Sequence, residues 1–224
     1  MTYEASTLTE LANPTIINKA LDELDEYQFI FAHIPRSGGK TLGYIIRKNC
    51  QDKLVFTHHF PHTKEIYNQN LKTLKKKIIT IIRNPITRLI SEWVSYGMAF
   101  TNVSNIYDYI NGDNRKNNMC KFLLGYDIYD NIEINIEHFN TIKNLIELDN
   151  LVIGIFEDWK MDSIYKLLDI PKTEDTLRPP VIDSAQLKHI WEKNKNDIII
   201  DDKLKQNIYK NNEFDVLLYN FVSC

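Results

Sequence analysis

Tyr27-Gln28-Phe29-Ile30-Phe31-Ala32-His33-Ile34-Pro35-Arg36-Ser37-Gly38-Gly39-Lys40-Thr41-Leu42 is the stretch that decides the fold. Tyr27 to His33 is a short apolar run of the buried-strand kind, and Lys40 to Asn49 continues with helical character. Between them lie two adjacent glycines in a chain that has only 7, so the backbone must bend there or approach something closely. A helix start leaves N–H groups unpaired and carries partial positive charge. Two glycines let those N–H groups wrap an anion. Arg36 and Lys40 add charge; Ser37 and Thr41 add hydroxyl donors. The loop therefore reads as a phosphate or phosphosulfate cradle, set against the plainer reading of a tight turn with solvated charges. It is not a Walker A loop, because the first glycine of that pattern falls on Ile34.

Working outward, Leu54 to Thr57 reads as a second strand, Lys77 to Ile82 as a third, and Leu151 to Phe156 as a fourth. The third is β-branched and apolar on both faces, as a parallel strand inside a sheet is. Asn84 suits an N-cap and Pro85 the first position of a helix running to Gly97. Trp159 to Leu168 reads as a helix stopped before Pro171. Gln186 to Asn196 and Asp202 to Tyr219 read as terminal helices, and Glu4 to Asp25 as a cap or first helix. Strands alternating with helices predict an α/β fold, a central parallel sheet flanked by helices in three layers. With 224 residues, the expectation is a single domain over 1–224 with residues 1–25 as an N-terminal cap segment. Right-handed crossovers place the strand-end loops on one edge, where such sheets bind ligands.

A second stretch, Ile82-Arg83-Asn84-Pro85-Ile86-Thr87-Arg88-Leu89-Ile90-Ser91, follows the third strand. Arg83 at the strand's carboxyl end can grip a phosphate bidentately or form a structural salt bridge. Ser91 lies inside the helix and can face the same crevice or bond its own backbone. At roughly 3.6 residues per turn Arg88 points elsewhere than Ser91, so the two need not share a task. Two phosphate grips on neighbouring strands fit one nucleotide phosphorylated at both its 5' and 3' sides.

These two stretches, in this order, resemble the sulfotransferases that use 3'-phosphoadenosine 5'-phosphosulfate (PAPS), with the carbohydrate 2-O-sulfotransferases and their bacterial relatives the nearest branch. The family carries a loop like H-I-P-K-T-G-G-T-S-L, matched here by His33 to Leu42, and a second signature like I-R-D-P-x-x-R-L-x-S, matched by Ile82 to Ser91. A G-H-F-P element often lies between; here it is Thr57-His58-His59-Phe60-Pro61. Asn117 to Met119 with Phe122 to Gly125, and Asn194 to Asp197, are weaker echoes. The resemblance implies a P-loop-like fold and transfer of a sulfuryl group to an acceptor hydroxyl, on a carbohydrate by analogy with that branch. It implies that Arg36, Ser37, Gly38, Gly39, Lys40 and Thr41 hold the 5'-phosphosulfate, that Arg83 and Ser91 hold the 3'-phosphate, and that His59 is the general base. Arg36 departs from the family's usual Lys, and Lys40 stands where a small hydroxyl residue is usual, so the two cations can share the stabilisation of the leaving 3',5'-bisphosphoadenosine.

Sulfuryl transfer resembles phosphoryl transfer, with positioning and charge neutralisation as the protein's main contributions. A histidine suits removal of the acceptor proton at neutral pH. His58, His59 and His62 form the chain's histidine cluster, open to three readings: base, plain surface loop or metal ligands. His59 is the favoured base, His58 the fallback, and His33 a structural residue beside the loop. Phosphosulfate is already activated, so the mechanism requires no metal. Trp93, Tyr96, Tyr107 and Tyr109 can line a sugar site but fit a core better; Asn111 to Asn118, with Arg115 and Lys116, can form a mobile acceptor loop. Lys72 to Lys77 reads as a solvated basic face.

The net charge of −3 argues against a nucleic-acid partner and requires any anion site to be a local pocket. Cys50, Cys120 and Cys224 are too scattered for a disulfide framework or a zinc knuckle. No apolar run approaches the roughly 18 residues that span a bilayer. The first ten residues lack a signal-peptide pattern, so the expectation is a soluble, cytoplasmic protein with no membrane association. Two rival readings stay open: a P-loop kinase acting on a small molecule, which Glu157 and Asp158 after the fourth strand would serve, and a degenerate sulfotransferase fold that binds without turnover.

Overall fold

The computed structural model describes residues 25, 27–50, 55–58, 64–97, 105–112, 115–127, 130–177 and 200–224. The expected helix over Gln186–Asn196, His59 and His62 lie outside these residues, as does the expected N-terminal cap except for Asp25.

Four parallel strands form the sheet: β1 (Phe29–Ala32), β2 (Val55–His58), β3 (Lys77–Ile82) and β4 (Leu151–Ile155), in the order β2-β1-β3-β4. Phe29 pairs with Val55 on one side and Lys77 on the other, and Ile78 pairs with Leu151. The chain leaves β1 toward β2 and returns across it to β3. The carboxyl ends of β1 and β3 therefore flank the point where the winding direction reverses, the usual ligand crevice of an open parallel sheet.

Alternation along each strand builds two cores. Ile30, Ala32, Ile78, Ile82, Leu151 and Ile155 face one way. They meet α2 (Lys64–Thr73), α5 (Asn118–Leu123), α6 (Ile136–Glu147) and α10 (Glu213–Ser223) through Tyr67, Phe122, Ile142 and Leu218. Phe31, Ile79, Ile81 and Val152 face the other way. There they meet Leu42, Ile45 and Ile46 of α1 (Gly39–Asn49) and Ile164, Tyr165 and Leu168 of α7 (Asp162–Leu168), which the short α8 (Glu174–Leu177) follows. Helices thus cover both faces, the three-layer α/β arrangement expected from the sequence. Each fully buried isoleucine of β3 contributes about 1.5–3 kcal/mol. A third core joins α3 (Pro85–Glu92) to α4 (Ile106–Asn111) and α9 (Asp202–Asn211), and places Trp93 and Tyr109 inside it. Among the described residues, no helix is long and apolar enough to cross a membrane.

Several boundaries differ from expectation for local reasons. Asn84 caps α3 through its side chain, which accepts from the Ile86 amide, and Pro85 occupies the first turn as expected. The helix then passes into a π-helical turn, Trp93–Gly97, in place of a uniform α-helix to Gly97. The helix after β4 begins at Asp162, not Trp159, because Asp158 and Trp159 both have positive φ, 59° and 50°. The C-terminal segment is two helices, broken at Asn212 (φ −128°, ψ 39°). Asn212 is fully buried; its Oδ1 accepts from the Asn117 amide at 3.0 Å and its Nδ2 donates to the Ile208 carbonyl at 3.1 Å. The break thus fastens the C-terminus to the start of α5. Asp215, one turn on, accepts from the amides of Met119 and Cys120.

Arg88 confirms that it and Ser91 have separate tasks. It is fully buried and donates to Glu92 at 2.6 Å; Glu92 also accepts from the Tyr109 hydroxyl at 2.8 Å and from Arg115 at 3.0 Å. Arg115 lies over the Tyr109 ring as well, so the polar segment expected as a mobile loop is pinned at this residue. Burial alone would raise the Glu92 carboxyl, but Arg88, Arg115 and the Tyr109 hydroxyl outweigh it and hold the group below its ordinary range.

Glu92→Gln leaves two guanidiniums facing a neutral amide and lowers stability by about 3–5 kcal/mol at pH 7, read by urea unfolding. The depressed carboxyl contributes stability that is present above its unfolded-state pKa and is lost as pH falls through the folded one. Asp215, raised by burial, titrates with the opposite sign in both proteins and, through the Arg88 it shares with Glu92, offsets only part of the difference. The gap between wild type and variant therefore narrows on acidification; a constant gap contradicts the assignment.

Candidate functional site

The glycine turn stands at the end of β1, and its shape follows from close contacts. The His33 amide donates to the His58 carbonyl at 3.1 Å, and the Thr80 hydroxyl donates to the Ala32 carbonyl at 2.8 Å, fixing the strand end between its neighbours. Gly38 has φ +93°, and a Cβ there would lie 2.4 Å from the Phe156 ring. A Cβ on Gly39 would lie 1.9 Å from the His33 imidazole. Both positions exclude larger residues, one by backbone and neighbour, the other by neighbour alone. His33 itself stacks on Phe31, the structural role expected of it.

The amides of Gly38, Gly39 and Lys40 donate to no acceptor among the described residues, whereas Thr41 and Leu42 donate to the Gly38 carbonyl. Ser37 is fully buried, and its hydroxyl has no hydrogen-bond partner among the described residues. Lys40 is exposed in the first turn of α1; Thr41 is buried.

Arg83 lies against this turn. Its Nη1 donates to the Arg36 carbonyl at 3.3 Å, and its guanidinium carbon sits 4.6 Å above the centre of the Phe156 ring. Its Nε donates to the Thr87 hydroxyl at 3.0 Å and lies 3.8 Å from Glu157. Burial pulls the guanidinium below its ordinary pKa; Glu157 opposes this, while Arg36 and Arg88 add to it. Arg36 and Arg83 beside Glu157 make a locally electropositive place on a chain of net charge −3, while the charge of Arg88 is met by Glu92. Ser91, buried on α3, accepts a 3.0 Å hydrogen bond from Arg36 Nε. The two stretches picked out by sequence are therefore brought together at a single place.

Of the histidine cluster, His58 lies within the described residues. His58 ends β2 and is fully buried, stacked on Tyr67 at 4.2 Å between ring centres and tilted against Phe122 at 4.9 Å. It is a core ring, a poor position from which to meet an acceptor.

Two residues escaped the sequence reading. Phe156 touches both the Gly38 position and Arg83. Glu157 accepts from the Asn84 amide at 3.0 Å and the Thr87 hydroxyl at 2.9 Å, so it holds the start of α3 and faces Arg83. Both follow β4, and their role depends on β4 lying beside β3. The signal was only indirect: an aromatic and an acid closing an apolar strand. Glu157's engagement counts against the kinase reading, in which this acid would be directed toward a magnesium ion.

Comparison with known protein families matches residues 21–222 to the sulfotransferase family. The chain belongs to that family. No curated protein matches it.

Gly39→Ala overpacks the His33 contact and lowers stability by about 1–3 kcal/mol, followed by thermal unfolding. Adding His33→Ala in the same chain relieves the clash and recovers part of the loss. Additive destabilisation by the two changes contradicts the contact.

Proposed function

We propose that this sulfotransferase takes its sulfuryl group from PAPS and passes it to an acceptor hydroxyl, on a carbohydrate if the resemblance to the 2-O-sulfotransferase branch extends to substrate. The observation that carries the reading is the 3.3 Å hydrogen bond from Arg83 to the Arg36 carbonyl, which sets the guanidinium at the glycine turn. A ligand with anionic groups at both ends, a nucleotide's length apart, suits two such neighbouring grips.

The residues present fit that nucleotide. The amides of Gly38, Gly39 and Lys40 and the Ser37 hydroxyl, which find no partner among the described residues, offer donors to a 5'-phosphosulfate. Arg83 offers charge to a 3'-phosphate, and Ser91 a hydroxyl. PAPS would supply an already activated sulfuryl group: the acceptor oxygen bonds to sulfur as the S–O bond to the 5'-phosphate breaks in line, and 3',5'-bisphosphoadenosine departs. The amides of the turn, Lys40 and Arg36 would neutralise charge on the departing bisphosphate, and Thr41 would orient it from the first turn of α1. His59 would take the acceptor's proton; the burial of His58 supports giving this role to its neighbour.

Purified protein is expected to transfer radiolabelled sulfate from PAPS to a panel of hydroxyl-bearing glycans, and His59→Ala to lower kcat by about 100- to 10,000-fold while 3',5'-bisphosphoadenosine still binds. Binding with no turnover on any acceptor would favour the degenerate, binding-only alternative. Preference for ATP with magnesium over the bisphosphate would favour a kinase. Arg83→Ala is expected to weaken bisphosphate binding about 10- to 100-fold in calorimetric titration.

A further inference from the structure

Glu157 is a carboxylate set beside the Arg83 grip, and the grip does not need it for its shape. Arg83 is already held at three points. Its Nη1 donates to the Arg36 carbonyl at 3.3 Å, its Nε donates to the Thr87 hydroxyl at 3.0 Å, and its guanidinium lies 4.6 Å from the centre of the Phe156 ring. Glu157 Oε1 is 3.8 Å from Nε, beyond hydrogen-bond reach. What Glu157 adds to the arginine is therefore charge. That charge is fixed in place. Oε2 accepts from the Asn84 amide at 3.0 Å and Oε1 from the Thr87 hydroxyl at 2.9 Å, which ties the carboxylate to the start of α3. Tyr219 faces it from α10: burial raises that phenol above its ordinary pKa, and the charge of Glu157 raises it further.

We propose that Glu157 is a fixed counter-ion that limits how tightly the site holds the 3'-phosphate, and that it thereby sets the release of the spent nucleotide. This rests on the nucleotide reading above and adds to it a residue that works against binding. In the free protein the carboxylate neutralises part of the Arg83 charge. Once a dianionic phosphate docks on the same guanidinium, two anionic groups share one cation and repel each other. The carboxylate cannot turn aside, because its partners Asn84 and Thr87 belong to the segment that follows Arg83 directly. The Arg83 and Glu157 side chains are 19% and 29% exposed, so water screens the repulsion only in part. PAPS and 3',5'-bisphosphoadenosine carry the same 3'-phosphate, so both feel it. The site gives up some substrate affinity and gains a faster departure of a product gripped at two ends. A nucleotide without the 3'-phosphate does not feel it.

Removing the charge separates this role from a positioning one by the sign of the effect. Glu157→Gln keeps an oxygen to accept from the Asn84 amide and loses the charge. Calorimetric titration compares 3',5'-bisphosphoadenosine with 5'-AMP, which lacks only the 3'-phosphate. The variant is expected to bind the bisphosphate about 3- to 10-fold more tightly and 5'-AMP as wild type does, so the preference widens. In steady-state sulfuryl transfer, KM for PAPS and the inhibition constant of the bisphosphate fall together. Should Glu157→Gln fail to fold, Glu157→Ala removes the same charge and carries the same expectation for the preference. An unchanged preference overturns the inference. A narrowed one also overturns it and makes Glu157 a residue that holds Arg83 in place. Wild-type protein that does not prefer the bisphosphate to 5'-AMP defeats the nucleotide reading itself.

Discussion

The guanidinium of Arg83 is the point on which the site's geometry depends. It stacks on Phe156, donates to the carbonyl of Arg36 and faces Glu157, so it joins the end of β3, the turn after β1 and the turn after β4. Phe156 also closes the space at Gly38, where a side chain would collide with its ring. One aromatic ring therefore shapes the anion cradle and supports the arginine beside it. This juxtaposition requires β1 and β3 to be neighbours and β4 to follow β3, which the strand order provides.

Behind this surface lies a second, largely buried set of charges. Buried Arg88, Glu92 and Tyr109, joined by half-buried Arg115, form a network at the far side of α3. Such a network adds little net stability over an apolar core but is costly to break. Its place on the same helix as Ser91 ties the serine's orientation to the packing of α4 and the start of α5. Asn212 and Asp215 anchor that start from the C-terminal helices, so the end of the chain supports the site from a distance.

The parallel α/β arrangement was legible because the strands are continuous apolar runs and the turns carry punctuation. Two glycines in a glycine-poor chain mark the cradle, and Asn84-Pro85 marks the next helix start. The family was legible because two spaced motifs share one order, now matched across residues 21–222. What could not be read were consequences of three-dimensional adjacency. Phe156 looks like the last residue of a strand until β4 is placed beside β3. Asp202 to Tyr219 looks like one helix until Asn212 is found turning inward to Asn117. Arg36 looks like a substitute for lysine until its Nε is found on Ser91. His58 and His59 look equivalent in sequence, but strand alternation puts the first in the core.

The central claim is that one nucleotide bridges the glycine turn and the Arg83 guanidinium. The most direct measurement is a crystal structure of the chain with 3',5'-bisphosphoadenosine. The account predicts the 5'-phosphate at the amides of Gly38, Gly39 and Lys40 and the 3'-phosphate at Arg83 and Ser91. A nucleotide bound elsewhere, or held at the turn with its 3'-phosphate directed away from Arg83, would contradict it.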